Sequence, residues 1–157
     1  EEKWRAGGIK ESWNTPILVA TPGGATELVL AIAGRILGFD PATGAQLWSC
    51  ATDIGWYMVP SLVAKDGIVC CIGGRSGGAL AVRAGGRGDV TATHRLWTGK
   101  KGSNVSSPVL HEGRLFWMHE NSGTAYCAVT AACAFGADAA PSRPVLYPLQ
   151  SIAGDAT

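Results

Sequence analysis

A repeated pattern that begins at proline is the feature that most constrains how this chain can fold. Three apolar segments of the 157-residue sequence each open at a proline, and the prolines Pro16, Pro60 and Pro108 are 44 and 48 residues apart. Each segment is followed by a turn, an apolar run, a Gly-rich turn and a further apolar run. Self-similarity at a fixed period indicates that the chain is built from copies of one supersecondary unit.

Short apolar runs separated by glycine and proline define this unit. The chain contains 22 Gly and 8 Pro, and the runs between them are five to eight residues long and rich in Val, Ile, Leu and aromatic residues. Such runs are too short for helices and indicate β-strands joined by tight turns. Four short strands in a period in the mid-forties are typical of a β-propeller blade. The sequence therefore predicts an all-β fold, a partial β-propeller made of four-stranded antiparallel blades.

The repeat also divides the chain into parts. A fourth strand ends in Trp48 in the first unit and in Trp97 in the second, whereas the third unit has no tryptophan at that position. Residues 128–140 contain seven alanines, and this shift in composition indicates that the third unit is incomplete. We predict the end of a preceding blade or a linker at 1–12, blade one at 13–56, blade two at 57–104, a partial blade three at 105–135, and an irregular or disordered tail at 136–157.

The stretch GFDPATGAQLW, from Gly38 to Trp48, carries the most specific motif of the sequence. Its proline and glycine favour a turn, and the side chains of Asp40 and Thr43 can bond local N–H groups. The motif consists of Gly38, Asp40, Thr43, Gly44 and Trp48. Its spacing resembles the tryptophan-docking motif of the PQQ-like, or quinoprotein-type, β-propeller repeats. That family includes quinoprotein alcohol dehydrogenases and non-enzymatic outer-membrane assembly lipoproteins.

The resemblance implies that the motif is a structural joint between blades. In the family the tryptophan stacks against the neighbouring blade, so we expect Trp48 to dock on blade two and Trp97 to be its counterpart in blade two. Blade two replaces the turn by the insertion RAGGRGDVTATHRLW, and blade three lacks both the turn and the tryptophan. Family members are mostly exported, which implies a periplasmic or secreted protein.

Charge and hydropathy argue against two classes of partner. The chain has thirteen basic and twelve acidic residues, and its only basic cluster is the pair Lys100-Lys101. The sequence therefore predicts no nucleic-acid partner. The longest continuous apolar run, from Leu28 to Ala33, is far shorter than the roughly 20 residues that cross a bilayer. We therefore predict no transmembrane segment.

Candidate chemical groups do not assemble into a recognisable site. His111-Glu112 and His119-Glu120 do not form the His-Glu-x-x-His pattern of a zinc site, and the five cysteines lack metal-ligand spacing. Cys70 and Cys71 lie in one predicted strand, where adjacent side chains point to opposite faces, so we expect two buried thiols. Some dehydrogenases of the family instead carry a vicinal disulfide against the cofactor. We predict no catalytic, cofactor-binding or metal-binding residue.

Two functions follow from the resemblance. One is a non-catalytic propeller segment that acts as a structural or protein-interaction scaffold. The other is a fragment of a PQQ-dependent alcohol or sugar dehydrogenase, which needs clustered acids and Asn for calcium, Arg for the quinone oxygens and a Trp floor. The acids are scattered, and this favours the scaffold, without enzyme activity or cofactor. We expect its partner to be a protein or the remaining blades, and we expect self-association through open blade edges.

Overall fold

The first of three sheets contains the predicted blade one. The computed structural model describes residues 1–56, 58–75, 77–129 and 146–148. Four strands of the first sheet follow one another in space as they do along the chain: β1 (Ile17–Ala20), β2 (Thr26–Ile32), β3 (Arg35–Phe39) and β4 (Gln46–Ala51). Short hairpin turns connect them, as the glycine-rich sequence predicts.

The second sheet contains the predicted blade two. Its strands are β5 (Val63–Lys65), β6 (Ile68–Gly73), β7 (Gly78–Arg83) and β9 (Arg95–Gly99). The insertion between β7 and β9 forms the two-residue strand β8 (Gly88–Asp89) and the single-turn helix α1 (Thr91–His94). Although β8 belongs to the insertion of blade two, it pairs in parallel with β4 and forms a fifth strand of the first sheet. Within the described ranges no helix is long and apolar enough to cross a membrane.

The third sheet has the same strand order. It consists of β10 (Val109–His111), β11 (Arg114–His119), β12 (Thr124–Val129) and β13 (Leu146–Pro148). The sequence predicts an irregular or disordered tail at 136–157, whereas the structure places residues 146–148 in a strand that pairs antiparallel with β12. Residues 130–135 of the predicted partial blade, and all others of the tail, lie outside the described residues.

The sheets stack face to face through two apolar cores. Strand β6 shows the arrangement: Val69 and Cys71 contribute to the core shared with the first sheet, and Cys70 and Ile72 to the core shared with the third. The strand is buried on both faces because its side chains alternate between the two neighbouring sheets. The cysteines Cys70 and Cys71 are accordingly buried and directed to different cores.

The innermost strands β1, β5 and β10 lie side by side, and the residues before them form a hydrogen-bonded series. The Thr15 N–H donates to Ser61 Oγ at 3.4 Å, and the Ser61 N–H donates to Ser107 Oγ at 2.9 Å. Thr15, Ser61 and Ser107 are spaced by 46 residues, so each blade presents the same position to the next. The three sheets are blades of an all-β partial β-propeller, and the predicted fold class is confirmed.

Candidate functional site

The turn between β3 and β4 contains three of the predicted joint residues. Asp40 Oδ1 accepts a hydrogen bond from the Ala42 N–H at 2.8 Å, and the Asp40 carbonyl accepts one from the Gly44 N–H at 2.8 Å. Thr43 Oγ1 accepts the Ala45 N–H at 3.3 Å. Gly44 has a φ of 73°, a conformation that glycine adopts without a steric penalty. Asp40, Thr43 and Gly44 therefore close this turn locally.

Trp4, which the sequence analysis did not single out, packs on the same turn. Its Nε1 donates a hydrogen bond to the Pro41 carbonyl at 2.9 Å, and its ring lies so close to Gly44 that a Cβ there would collide with it. Trp4 precedes Trp48 by 44 residues, close to the interval between Trp48 and Trp97. Extending the repeat backwards could thus have identified it. The segment before blade one is anchored on blade one by an indole ring.

Trp48 lies between blade one and blade two. Its side chain is fully buried and belongs to a core cluster that includes Val69 and Val82 of blade two. The ring covers Gly38 on the adjacent strand, where any Cβ would collide with the indole. Trp48 Nε1 donates a hydrogen bond to Glu27 Oε2 at 2.7 Å. The indole therefore has both an apolar environment and a partner for its N–H, as a buried tryptophan requires.

Glu27 is the polar centre of this joint. Its carboxylate is 1% exposed and accepts, besides Trp48 Nε1, the Gly85 N–H at 3.0 Å and an Arg87 Nη1–H at 3.2 Å. Glu27 belongs to blade one, and Gly85 and Arg87 belong to the insertion of blade two. A buried charge is tolerated when it is paired and hydrogen-bonded. We call Glu27, Trp48, Gly85 and Arg87 the blade clamp, because they connect the two blades.

The insertion also extends blade one beyond its outer strand. The Val90 N–H donates to the Ser49 carbonyl at 2.9 Å, and the Ala51 N–H donates to Thr91 Oγ1 at 2.8 Å. Hydrogen bonds from Thr91, first from its side chain and then from its backbone, lower the pKa of Asp89. The segment thus covers the open edge of β4, which reduces the risk of pairing with other chains.

Trp97 occupies the corresponding place between blades two and three. It lies on β9, is 5% exposed, and belongs to a cluster with Leu115 and Ala128 of blade three. Among the described residues no hydrogen-bond partner is present for Trp97 Nε1. In blade one, the turn after β3 supplies the Pro41 carbonyl that accepts the Trp4 Nε1–H. The corresponding position in blade three follows β12, where the chain lies outside the described residues until Leu146.

A carboxylate also connects blade three to the segment that precedes it. Glu120, in the turn after β11, accepts the Ser103 hydroxyl at 2.7 Å and the Asn104 N–H at 3.1 Å. Ser103 is fully buried and its Oγ accepts the Ser106 N–H at 2.8 Å. Partial burial raises the pKa of Glu120, but hydrogen bonds, first that of Ser103, outweigh burial and lower it. Residues 103–106 are thereby fixed before β10 begins.

Two exposed tryptophans lie at one end of the propeller, near the starts of the innermost strands. Trp13 is 64% exposed and Trp56 is 49% exposed. The segments that carry them are joined, since the Trp13 N–H donates to the Met58 carbonyl at 2.7 Å and the Met58 N–H donates to the Glu11 carbonyl at 2.9 Å. Arg75 Cζ lies 5.2 Å from the centroid of the Trp56 ring. We call Trp13, Trp56 and Arg75 the tryptophan surface.

The backbone of Trp56 is strained. Its φ of 81° lies in the left-handed region, which a bulky residue rarely adopts. Such a conformation costs on the order of 1–3 kcal/mol and persists only where the surrounding structure imposes it. The side chain of Ile54, two residues earlier, is buried against Gly73, Gly74 and Gly78 and holds this segment in place. Trp56 is therefore presented to solvent by a fixed backbone.

At the end of blade one nearest the propeller axis, the Asn14 side chain forms hydrogen bonds with the backbone of its own blade. Asn14 is 8% exposed, and its Nδ2 donates to the Ala31 carbonyl at 2.6 Å. The Ala31 N–H donates back to Asn14 Oδ1 at 3.3 Å. In the part of the chain that the structure describes, no three His, Cys, Asp or Glu side chains are grouped closely enough to hold a metal ion.

Comparison with known proteins finds solved structures that match this chain, but no protein family that does. No protein-family model and no curated protein matches this chain. Solved structures do match it, among them the crystal structure of BamB from Moraxella catarrhalis, with 19% sequence identity and a TM-score of 0.47. The match covers 67% of this chain and 31% of BamB, so this chain spans about a third of that protein's length. The fold assignment rests on the strand order and the packing described above.

Proposed function

We propose that this chain is a segment of a non-catalytic β-propeller that acts as a structural and protein-interaction scaffold. The observation that carries the proposal is the tryptophan surface, where two large aromatic side chains are exposed on a hydrogen-bonded backbone. Tryptophan and arginine are the residues most enriched among those that dominate binding energy at protein interfaces. We propose that a protein segment binds there.

The contacts of Met58 and Ile54 at this surface support the proposal. Met58 bonds through its N–H and its carbonyl to the segment of Trp13, and the Trp56 backbone is fixed by the packing of Ile54. Contacts of this kind reduce the entropic cost that a partner bears when it binds. Arg75 places a cation beside the Trp56 ring, and this combination suits a partner that brings apolar side chains and a carboxylate.

The joints support the scaffold part of the proposal. Glu27, the one charged side chain among the buried residues of the described ranges, is fully engaged in connecting blade one to blade two. The motif residues Asp40, Thr43 and Gly44 form a turn on which Trp4 packs. We assign these residues, with Gly38, Trp48 and Trp97, to holding blades together. A periplasmic or secreted location is proposed on the family resemblance.

Selection of binding peptides tests this function. A displayed library of random 12-residue peptides is selected on the whole chain, and the Kd of each enriched peptide is measured against wild type, Trp13→Ala, Trp56→Ala and Leu18→Ala. Leu18 is 66% exposed, comparable to Trp13, but it lies on β1 and is not one of the residues of the tryptophan surface. We expect Trp56→Ala to weaken binding at least about tenfold. The Leu18→Ala control should change it by less than about twofold.

Two results would refute the proposed function. One is that no peptide is enriched over a column without protein. The other is that the enriched peptides bind wild type, Trp13→Ala and Trp56→Ala with equal Kd, which would locate binding elsewhere. Circular dichroism of each variant excludes loss of fold as the cause of weaker binding.

A further inference from the structure

The pair Lys100-Lys101 lies at the same end of blade two as Arg75. Arg75 is in the turn between β6 and β7, and the two lysines follow the last strand of the blade, β9. Because β7 and β9 are antiparallel, the residues that precede β7 and those that follow β9 meet at one end of the sheet. The backbone shows this contact, since Gly102 packs so closely on Gly78 that a Cβ at Gly102 would collide with the Gly78 carbonyl.

These three cations are exposed, and Arg75 connects them to the tryptophan surface. Arg75, Lys100 and Lys101 are all exposed, and Arg75 Cζ lies 5.2 Å from the centroid of the Trp56 ring. Within the described ranges none of the three forms an ion pair with a carboxylate. We call Arg75, Lys100 and Lys101 the basic edge of the tryptophan surface.

Carboxylates on the neighbouring segments do not neutralise the basic edge. Glu120 accepts hydrogen bonds from the Ser103 hydroxyl and from backbone N–H groups, and Asp53 Oδ1 lies 3.9 Å from Arg95 Nη1. Glu11 is itself preceded by a lysine. The basic edge is therefore a local concentration of positive charge on a chain whose formal net charge is only +1.

We propose that the partner of the tryptophan surface is an acidic protein segment, whose apolar side chains contact Trp13 and Trp56 and whose carboxylates pair with the basic edge. This inference rests on the proposed function and adds the charge of the partner to it. Exposed aromatic rings supply most of the binding energy at such a surface, whereas cations at its rim select the partner and speed association. Arg75 contributes to both, because a guanidinium that contacts an aromatic ring can also bind a carboxylate through two N–H groups.

The small extent of the basic edge favours a peptide over a nucleic acid. Single-stranded nucleic acids also stack on aromatic side chains, but they are bound in a positively charged groove that follows the phosphate backbone. Here the positive charge is confined to three side chains at one end of blade two. Nucleic-acid binding is therefore included in the test as a contrary outcome.

The peptides selected from the displayed library on the whole chain are the probes. Those whose Kd rises in Trp56→Ala bind at the tryptophan surface, and we expect them to contain more aspartate and glutamate than the unselected library. Each is compared with a version in which every aspartate is replaced by asparagine and every glutamate by glutamine. We expect this amide version to bind at least about tenfold more weakly, because several carboxylates lose their ionic partners at once.

A double lysine variant tests the basic edge on the protein side. Lys100→Gln and Lys101→Gln are combined in one chain, and the matched control combines Lys3→Gln with Lys65→Gln. Both controls are exposed lysines, in the first segment and at the end of β5, so the two variants lose the same formal charge. We expect the Kd of the acidic peptides to rise at least about threefold in the first variant and less than about 1.5-fold in the control. Circular dichroism of both variants shows that the fold is retained.

Several results would overturn this inference while the proposed function stands. They are peptides that depend on Trp56 but are no more acidic than the library, amide versions that bind as tightly as their parents, and equal Kd in the lysine variant and its control. Polyglutamate or a thymidine oligonucleotide, each of the same length as the peptides, would also overturn it by binding as tightly as they do, because charge alone would then explain binding. If no peptide depends on Trp13 or Trp56, the proposed function itself fails, and this inference fails with it.

Discussion

Trp48 Nε1 and the buried carboxylate of Glu27 form a 2.7 Å hydrogen bond between the outermost strand and the second strand of blade one. The same carboxylate accepts the Gly85 N–H of blade two and pairs with Arg87. One acidic side chain thus accepts hydrogen bonds from the buried indole N–H and from a backbone N–H of blade two. The joint between these blades is therefore polar at its centre and apolar around it.

Removal of the Glu27 carboxylate should destabilise the protein strongly. Glu27→Ala leaves the buried Trp48 Nε1–H without an acceptor, which costs about 1–3 kcal/mol, and it also removes the acceptor of the Gly85 N–H and the partner of Arg87. We expect a total loss of about 2–5 kcal/mol in the free energy of unfolding, measured by denaturant titration. Glu2→Ala, which removes an exposed carboxylate paired with Arg5, should stay within about 0.5 kcal/mol. Equal losses would mean that Glu27 does not hold the blades together.

A pair of glycine substitutions tests the docking of Trp4. Gly44 and Gly24 have φ values of 73° and 82°, so alanine is strained at both positions. A Cβ at Gly44 collides with the Trp4 ring, whereas a Cβ at Gly24 meets no atom within 4 Å. Thermal unfolding should show Gly44→Ala to be less stable than Gly24→Ala by about 1–3 kcal/mol. Comparable stability of the two variants would place Trp4 away from the turn in solution.

The repeat, the strands and the turn chemistry could all be predicted from the sequence because they are encoded locally. Prolines and glycines mark strand starts and turns, and Asp40 and Thr43 bond to atoms within two residues. Glu27 could not be identified in this way, since it is a single polar residue within the strand β2 and its contact with Gly85 spans 58 residues. The periodicity of tryptophans does contain a signal for Trp4, which precedes Trp48 by 44 residues.

Strand β8 shows a second limit of sequence patterns. Its two residues have no strand propensity of their own, and they are extended because they pair with Trp48 and Ser49 of another blade. The exposure of Trp56 could not be predicted from the sequence either, because it follows from a backbone conformation that a bulky residue rarely adopts. Both features are set by tertiary contacts and emerge only once the blades are placed together.

The stability contributed by Glu120 should depend on pH. Its pKa is lowered in the folded state, so its hydrogen bonds with Ser103 and Asn104 stabilise the fold fully above the ordinary glutamate pKa of about 4.5. This stabilisation is lost as the pH falls through the lowered folded-state pKa. Denaturant midpoints of wild type and Glu120→Gln between about pH 2 and pH 6 should converge at the acidic end. Parallel curves would show that Glu120 makes no such contribution.

Titration with PQQ distinguishes the scaffold from the dehydrogenase alternative. The Ser61 and Ser107 hydroxyls before the innermost strands accept N–H groups of the neighbouring blade, and the Asn14 amide is bonded to Ala31. We therefore expect PQQ with Ca²⁺ to give no saturable quenching of the six tryptophans, and no turnover in a dye-linked alcohol oxidation assay. Saturable quenching at roughly micromolar PQQ together with turnover would favour the dehydrogenase.

The free energy of unfolding of Trp48→Ala tests most directly that the blades are joined through Trp48 and Glu27. Truncating a buried tryptophan typically costs about 3–5 kcal/mol, whereas His111→Ala, at a largely exposed side chain, should stay within about 0.5 kcal/mol. Denaturant unfolding followed by circular dichroism gives both values under one condition. The blade clamp predicts that Trp48→Ala loses several times more stability than His111→Ala, and equal losses in the two variants would contradict it.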